Sequence, residues 1–321
     1  MTEHKSQSDS YAVVSALVLT ELDRIALLER PRRALAPGEA RVRITAAGLC
    51  RSDLDAAAGK VPRAVGHTLG HEAAGVVVEG EARGATVALS PWRPCARAAC
   101  AACPARPWRC EGARFLGVDD DGVFADEVIV DAAQLHRVPA ALDPRHAAYL
   151  EPIAAALAVL EVPWPAPPRA LVADGQVLVT GQGRIATLVA RVVEAAAGAA
   201  PRRLASLTER VEAARLVIET DATPTGLAAA LAHVAPGGTL VAKSRVATPT
   251  ALDWTQVVQR EVRVFGAAYA PFAEARAWLV DRRVALDDLI GPSAPLSDYA
   301  AQLSRARDAE THKLFFVPEG A

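Results

Sequence analysis

Lysine is almost missing from this chain. Only Lys5, Lys60, Lys243 and Lys313 are present, the remaining basic residues are arginine, and the formal net charge is −2. So even a balance gives no sign of the basic surface that nucleic acid or an anionic membrane requires. No run of about eighteen apolar residues occurs, so no membrane-spanning helix is expected. The polar start, Met1 to Ser10, lacks the apolar core of a secretory leader. Aromatic residues are only 5% of the chain, and alanine fills much of the 51% that is hydrophobic. Arginine-for-lysine bias with abundant alanine fits a G+C-rich genome better than it fits a function. A cytoplasmic chain of 321 residues with two sizeable cores is the resulting expectation.

Cysteine is scarce too. Cys50 stands alone, and Cys95, Cys100, Cys103 and Cys110 fall within one short stretch. An odd number, so clustered, makes a poor disulfide framework and a good metal pattern.

Short strand patterns fill the first 150 residues: 12–14, 16–19, 40–44, 76–78, 86–89 and 127–130. The alternation over 40–44 is that of a half-buried strand, and Pro37-Gly38 marks a turn. At Glu151 the pattern changes. Residues 151–160 are alanine-rich and helical. A buried strand over 176–180 runs into Gly181-Gln182-Gly183, and a helix over 185–197 stops at Gly198. Strand, glycine turn and helix in succession make the first unit of a dinucleotide-binding fold. Further strands are expected at 202–206, 216–219, 238–242 and 262–265, with helices at 208–215 and 272–281. A last strand at 313–317 closes the chain.

Two motifs carry the chemistry. Gly-Leu-Cys-Arg-Ser-Asp places Cys50 beside Arg51, Ser52 and Asp53, and Gly-His-Glu places His71 beside Glu72. Together with the cysteine cluster and Leu-Glu-Pro at Glu151, their order along the chain resembles the zinc-dependent medium-chain dehydrogenases. The resemblance covers nearly the whole chain. It implies a GroES-like β-barrel catalytic domain (1–152 and 286–321, with a zinc lobe at 91–112). It also implies a Rossmann cofactor-binding domain (153–285). The stretch before 216–219 is too short for the family's usual third strand and its helix, so the edge of that sheet reads as shortened.

The resemblance further implies a catalytic zinc on Cys50 and His71. No second cysteine is free to join them, and the Glu-Pro signature makes Glu151 the third ligand. Glu72 either ligates or stands just behind the ion, and Asp53 holds the second N–H of His71. Zinc acts as a Lewis acid on the hydroxyl, and Ser52 relays the released proton. Asp55 extends that relay or merely caps a surface helix. Cys95, Cys100, Cys103 and Cys110 match the structural zinc lobe, although their spacing of four, two and six departs from the usual two, two and seven. A reduced, metal-free loop is the alternative.

On the cofactor side, Gly181, Gly183, Arg184 and Ile185 belong to a G-x-G-x-x-A fingerprint that Ala186 completes. Ser206 stands where an acid usually holds the adenosine ribose, with Arg210 close by, which leans towards NADP over NAD. Arg51 and Lys313 match positions of cationic contacts to the pyrophosphate, or are surface charges. The function implied is hydride transfer between a small secondary alcohol or polyol (or its ketone) and NAD(P), in a homodimer or homotetramer. The alternatives are a family member with altered or lost cofactor use: a pathway reductase, a non-redox enzyme or a scaffold protein.

Overall fold

The computed structural model describes residues 13–61, 63–95, 97, 99–245, 249–308 and 312–317. Glu39–Gly48 is the organising strand of the first half. Its side chains are buried over most of its length, and it pairs antiparallel with Glu72–Glu79, Glu127–Asp131 and Lys313–Val317. Thr86–Leu89 and Leu135–Arg137 extend the sheet on one side, and Ile290–Pro295 ends it on the other. The hairpin of Val13–Glu21 and Arg24–Pro31 is tied on by isolated bridges from Ala16 to Ala125 and from Val18 to Thr68. The seven-stranded sheet and this hairpin thus enclose one core containing Leu17, Val42, Val87, Phe124 and Phe316.

The second half is a parallel sheet. Its order is Arg202–Arg203, Val177–Thr180, Ala214–Glu219, Val234–Ala242 and Arg263–Gly266. The shortened edge read from the sequence is present: the outermost strand is two residues long, and among the described residues nothing pairs outside it.

The helix expected at 208–215 is absent, and an irregular segment leads directly into Ala214–Glu219. Geometry accounts for this. The chain must leave the end of Arg202–Arg203, cross behind Val177–Thr180, and restart on its other side at the opposite sheet edge. Ten extended residues reach about 33 Å, whereas eight helical ones cover only about 12 Å. Leu204 and Val211 fasten the extended segment to the core.

One helix joins the halves. Every residue of Leu150–Leu157 is buried, because one face meets the first sheet and the others meet helices Arg184–Ala197 and Phe272–Val280. An all-round apolar helix suits that position. Pro152 costs no hydrogen bond because it lies in the first turn. Glu151, the one charged residue of this helix, is therefore held between the two sheets. Among the described residues no helix is long and apolar enough to cross a membrane.

Candidate active site

Cys50 ends an extended stretch and caps the short helix Arg51–Ala57. Asp53, in the first turn of that helix, does two things. One carboxylate oxygen accepts from the Cys50 backbone N–H at 3.0 Å, and the other lies 3.3 Å from His71 Nδ1. Holding a proton on Nδ1 leaves Nε2 as the ligand atom. His71 follows Gly70, whose φ of +92° and contact with the Phe124 ring leave no room for a side chain. The imidazole is buried and packs on Phe115, with ring centroids 5.3 Å apart.

The ligand atoms of Cys50, His71 and Glu72 all lie within 4.8 Å of one another. Burial alone would raise the Cys50 thiol, but the hydrogen bond and charge of His71 and the charge of Lys313 outweigh it and bring it to about 6. A thiolate is the form that binds metal. Burial pushes the Glu72 carboxyl up to about 7, against the pull of the Lys313 ammonium that donates to it.

Lys313 therefore departs from its expected place on the cofactor pyrophosphate. It is buried and paired with Glu72, because a carboxylate this deep needs a cation beside it. Gly48 makes the pair possible: a Cβ there would stand 2.8 Å from Glu72 Oε2 and 2.9 Å from Lys313 Cδ.

Glu151 is buried close by, but outside the trio of gathered ligand atoms. Its partner is the Tyr269 hydroxyl, which donates at 2.6 Å. Burial and the nearby Glu72 raise its carboxyl. Tyr269 had no signal in the sequence, since it belongs to no motif and follows the edge strand Arg263–Gly266. Ser52 is half-buried on the capped helix. Asp55 and Arg51 face one another on its outer side at 3.9 Å, and Arg51 is largely exposed.

The four clustered cysteines come together, with all sulfur atoms within 4.8 Å of one another. Cys100 Sγ is 3.6 Å from Cys110 Sγ. Four sulfurs at 2.3 Å from one zinc lie about 3.8 Å apart, so this spacing suits that ion. None of the five cysteines is in a disulfide. Prolines do not abolish all regular structure in the lobe: Trp92–Arg93 pairs with Arg114–Phe115, and Pro107–Arg109 forms a 3-10 turn.

In the second half, Gly181 has φ +105° and no space for a side chain, since a Cβ would meet Thr220 Oγ1 at 2.4 Å. Gly183 caps helix Arg184–Ala197 with open space above it. That open cradle at a helix N-terminus fits a pyrophosphate. Ile185 packs into the core, and Arg184 donates to the His312 carbonyl at 3.0 Å. Ser206 and Arg210 are exposed beyond the end of the short strand. Glu209, however, folds back so that its carboxylate accepts from the Ala205 N–H. An acid therefore stands near that strand end, supplied from four residues along. Gly181→Ala is expected to destabilise the protein by about 2–4 kcal/mol, combining overpacking with backbone strain, measurable as a lower urea midpoint.

Residues 36–140 match the alcohol dehydrogenase GroES-like domain. The chain is 31% identical over 198 residues to sorbitol dehydrogenase of Halalkalibacterium halodurans, covering 58% of this chain and 54% of that one.

It is also 34% identical over 134 residues to 2-dehydro-3-deoxy-L-galactonate 5-dehydrogenase of Pseudoalteromonas atlantica, covering 38% of this chain and 39% of that one. The matched parts thus span about half or less of those curated relatives. Among solved structures, a zinc-binding dehydrogenase from Sinorhizobium meliloti bound to NADP superposes with a TM-score of 0.81. It is 23% identical, with 96% of this chain and 100% of that one covered. L-idonate 5-dehydrogenase from Escherichia coli gives 0.80 at 20% identity, with 95% and 98% covered. These likenesses show the fold, a GroES-like β domain joined to a Rossmann-type parallel sheet.

Proposed function

We propose that this protein is a member of the medium-chain dehydrogenase/reductase family, a zinc-dependent oxidoreductase that moves a hydride between a secondary alcohol or polyol and NAD(P). The convergence of Cys50, His71 and Glu72, with Glu151 beside them, carries this reading. The donor set suits zinc: a thiolate, an imidazole whose tautomer Asp53 fixes, and a buried carboxylate. Glu72 already has its cation hydrogen-bonded in Lys313, whereas Glu151 accepts from the Tyr269 hydroxyl. We therefore assign Cys50, His71 and Glu151 as the ligands and place Glu72 directly behind them. Bound there, zinc supplies a Lewis acid that lets an alcohol ionise near neutral pH. Ser52, two residues beyond Cys50, accepts the alcohol proton and passes it outwards along the Asp55 side of the helix. Gly181 and Gly183 let the pyrophosphate rest on the N-terminus of helix Arg184–Ala197. In the oxidative direction the alcohol gives a hydride to NAD(P)+ and a proton to solvent, leaving the ketone. The names of the sorbitol, idonate and deoxygalactonate relatives support a polyol or sugar-acid substrate.

Titration of NADPH and NADH by nicotinamide fluorescence tests this reading. Saturable binding of at least one is expected. Binding of neither would end the dehydrogenase reading in favour of a protein that keeps the fold without its cofactor.

We place the protein in the cytoplasm, since five free cysteines suit a reducing compartment. A homodimer is the assembly we favour. The outer strand Arg263–Gly266 has one open edge, and Val264 on it is exposed, as are Trp254 and Val258 on the neighbouring helix. Val258→Glu is expected to shift the sedimentation coefficient to that of a 33.6 kDa monomer.

A further inference from the structure

Aromatic rings from the cysteine lobe and from the second half form one cluster that touches two of the assigned ligands. At the foot of the lobe, the ribbon of Trp92–Arg93 and Arg114–Phe115 sets Trp92 opposite Phe115. These rings meet edge-on with centroids 4.9 Å apart, and Phe115 is the ring that packs on His71. Trp92 also stands edge-on to Tyr269 at 6.2 Å. Trp108, in the 3-10 turn Pro107–Arg109, reaches Tyr269 at 5.8 Å and Phe272 at 6.2 Å. That turn runs directly into the last clustered cysteine, since the Cys110 N–H donates to the Pro107 carbonyl at 2.9 Å.

Tyr269 is therefore walled by Trp92, Trp108 and Phe272, the last at 5.7 Å, all within the range of favourable ring contacts. Its backbone is fastened as well. The next residue, Ala270, donates its N–H to the Ala154 carbonyl at 2.8 Å, on the same buried helix as Glu151 and one turn along it. The hydroxyl held in this way donates to Glu151 Oε1, which leaves Oε2 for an ion. Packing alone would be served by phenylalanine at 269. The hydroxyl adds a polar group that burial penalises unless it is bonded, and its bond goes to the carboxylate. Hydrogen bonds of this kind orient a ligating carboxylate, and a donor whose rotamer is locked by packing orients it best.

We propose that Tyr269 is a positioning residue for the third metal ligand: braced by Trp92 and Trp108 of the cysteine lobe, it fixes the Glu151 carboxylate for ligation beside Cys50 and His71. The lobe thus serves the catalytic site as well as its own ion. This deepens the proposed function and rests on it for Glu151 as a ligand.

The test is competition for zinc against a chelating indicator. The ion whose titration is missing in Cys50→Ala is the catalytic one. Tyr269→Phe removes one oxygen and keeps the packed ring. It is expected to weaken the catalytic ion about ten- to a hundredfold, the usual effect of losing such a partner, and to leave the lobe ion unchanged. Trp108→Ala should weaken the same ion, and Trp108→Phe should restore most of the loss. With cobalt exchanged into the catalytic position, the visible band of Tyr269→Phe should move towards that of Glu151→Ala, which a general loosening of the fold would not produce. Native affinity in Tyr269→Phe or in Trp108→Ala, an unmoved cobalt band, or equal weakening of both ions overturns the proposal. Failure of the parent reading looks different: Glu151→Ala itself then leaves the affinity and the cobalt band native, or Cys50→Ala loses no ion.

Discussion

Cys50→Ala is expected to lower the proposed alcohol oxidation by about a thousandfold or more and to leave one zinc per chain where two are expected in the native protein. The magnitude follows from the site. The thiolate is the one soft ligand among Cys50, His71 and the carboxylates, and it is poised as a thiolate near neutral pH by His71 and Lys313. Losing it surrenders the Lewis acid, which is worth several kcal/mol of barrier, and each 1.4 kcal/mol is a factor of ten in rate. Fold stability should change little, because the neighbouring core of Leu17, Val42 and Phe316 is untouched. Metal content by elemental analysis, read beside the circular dichroism melt, checks both halves of the statement. Cys103→Ser makes the opposite experiment. It should remove the other ion and lower stability, leaving the catalytic ion in place.

The second large effect is on stability. Lys313→Met is expected to destabilise the protein by up to about 3–5 kcal/mol, because it leaves Glu72 buried without its cation, so that its carboxyl must stay charged at full desolvation cost or take up a proton. Lys313 and Glu72 are both nearly inaccessible to solvent, at 4% and 1%, so water cannot replace the missing ammonium. Adding Glu72→Gln to Lys313→Met should recover most of the loss, since the remaining amide carries no charge to compensate. Urea midpoints of the four proteins in this cycle give the coupling directly. A loss confined to about 1 kcal/mol in the single variant would mean that the pair behaves like a solvent-exposed one.

The site motifs were legible because their chemistry is local. Cys50 and Asp53 lie on one turn of helix, His71 and Glu72 on one strand entry, and the four cysteines on one loop, so spacing alone grouped them. The parallel sheet was legible for the same reason: Val177–Thr180, Gly181 and the helix after Gly183 are contiguous. The features that escaped are long-range. The pairing of Lys313 with Glu72 spans 241 residues and depends on Gly48 making room between strands. Tyr269 meets Glu151 only because the buried helix Leu150–Leu157 runs beside the edge of the second sheet. Glu209 reaches the end of Arg202–Arg203 by folding back, which no residue-by-residue reading of that strand end anticipates. The helix expected at 208–215 failed because local propensity says nothing about the distance a connection must span. Strand Arg24–Pro31 and helix Tyr299–Asp308 were passed over as well. The first has no buried residue, and the second presents only a narrow apolar stripe.

Anomalous scattering at the zinc edge, from crystals of the native protein grown with NADPH, tests the central claim most directly. The account predicts two peaks, one amid the four clustered sulfurs and one touching both Cys50 and His71, facing the nicotinamide ring. A single peak in the cysteine lobe, with full-occupancy dinucleotide and nothing between Cys50 and His71, would contradict it.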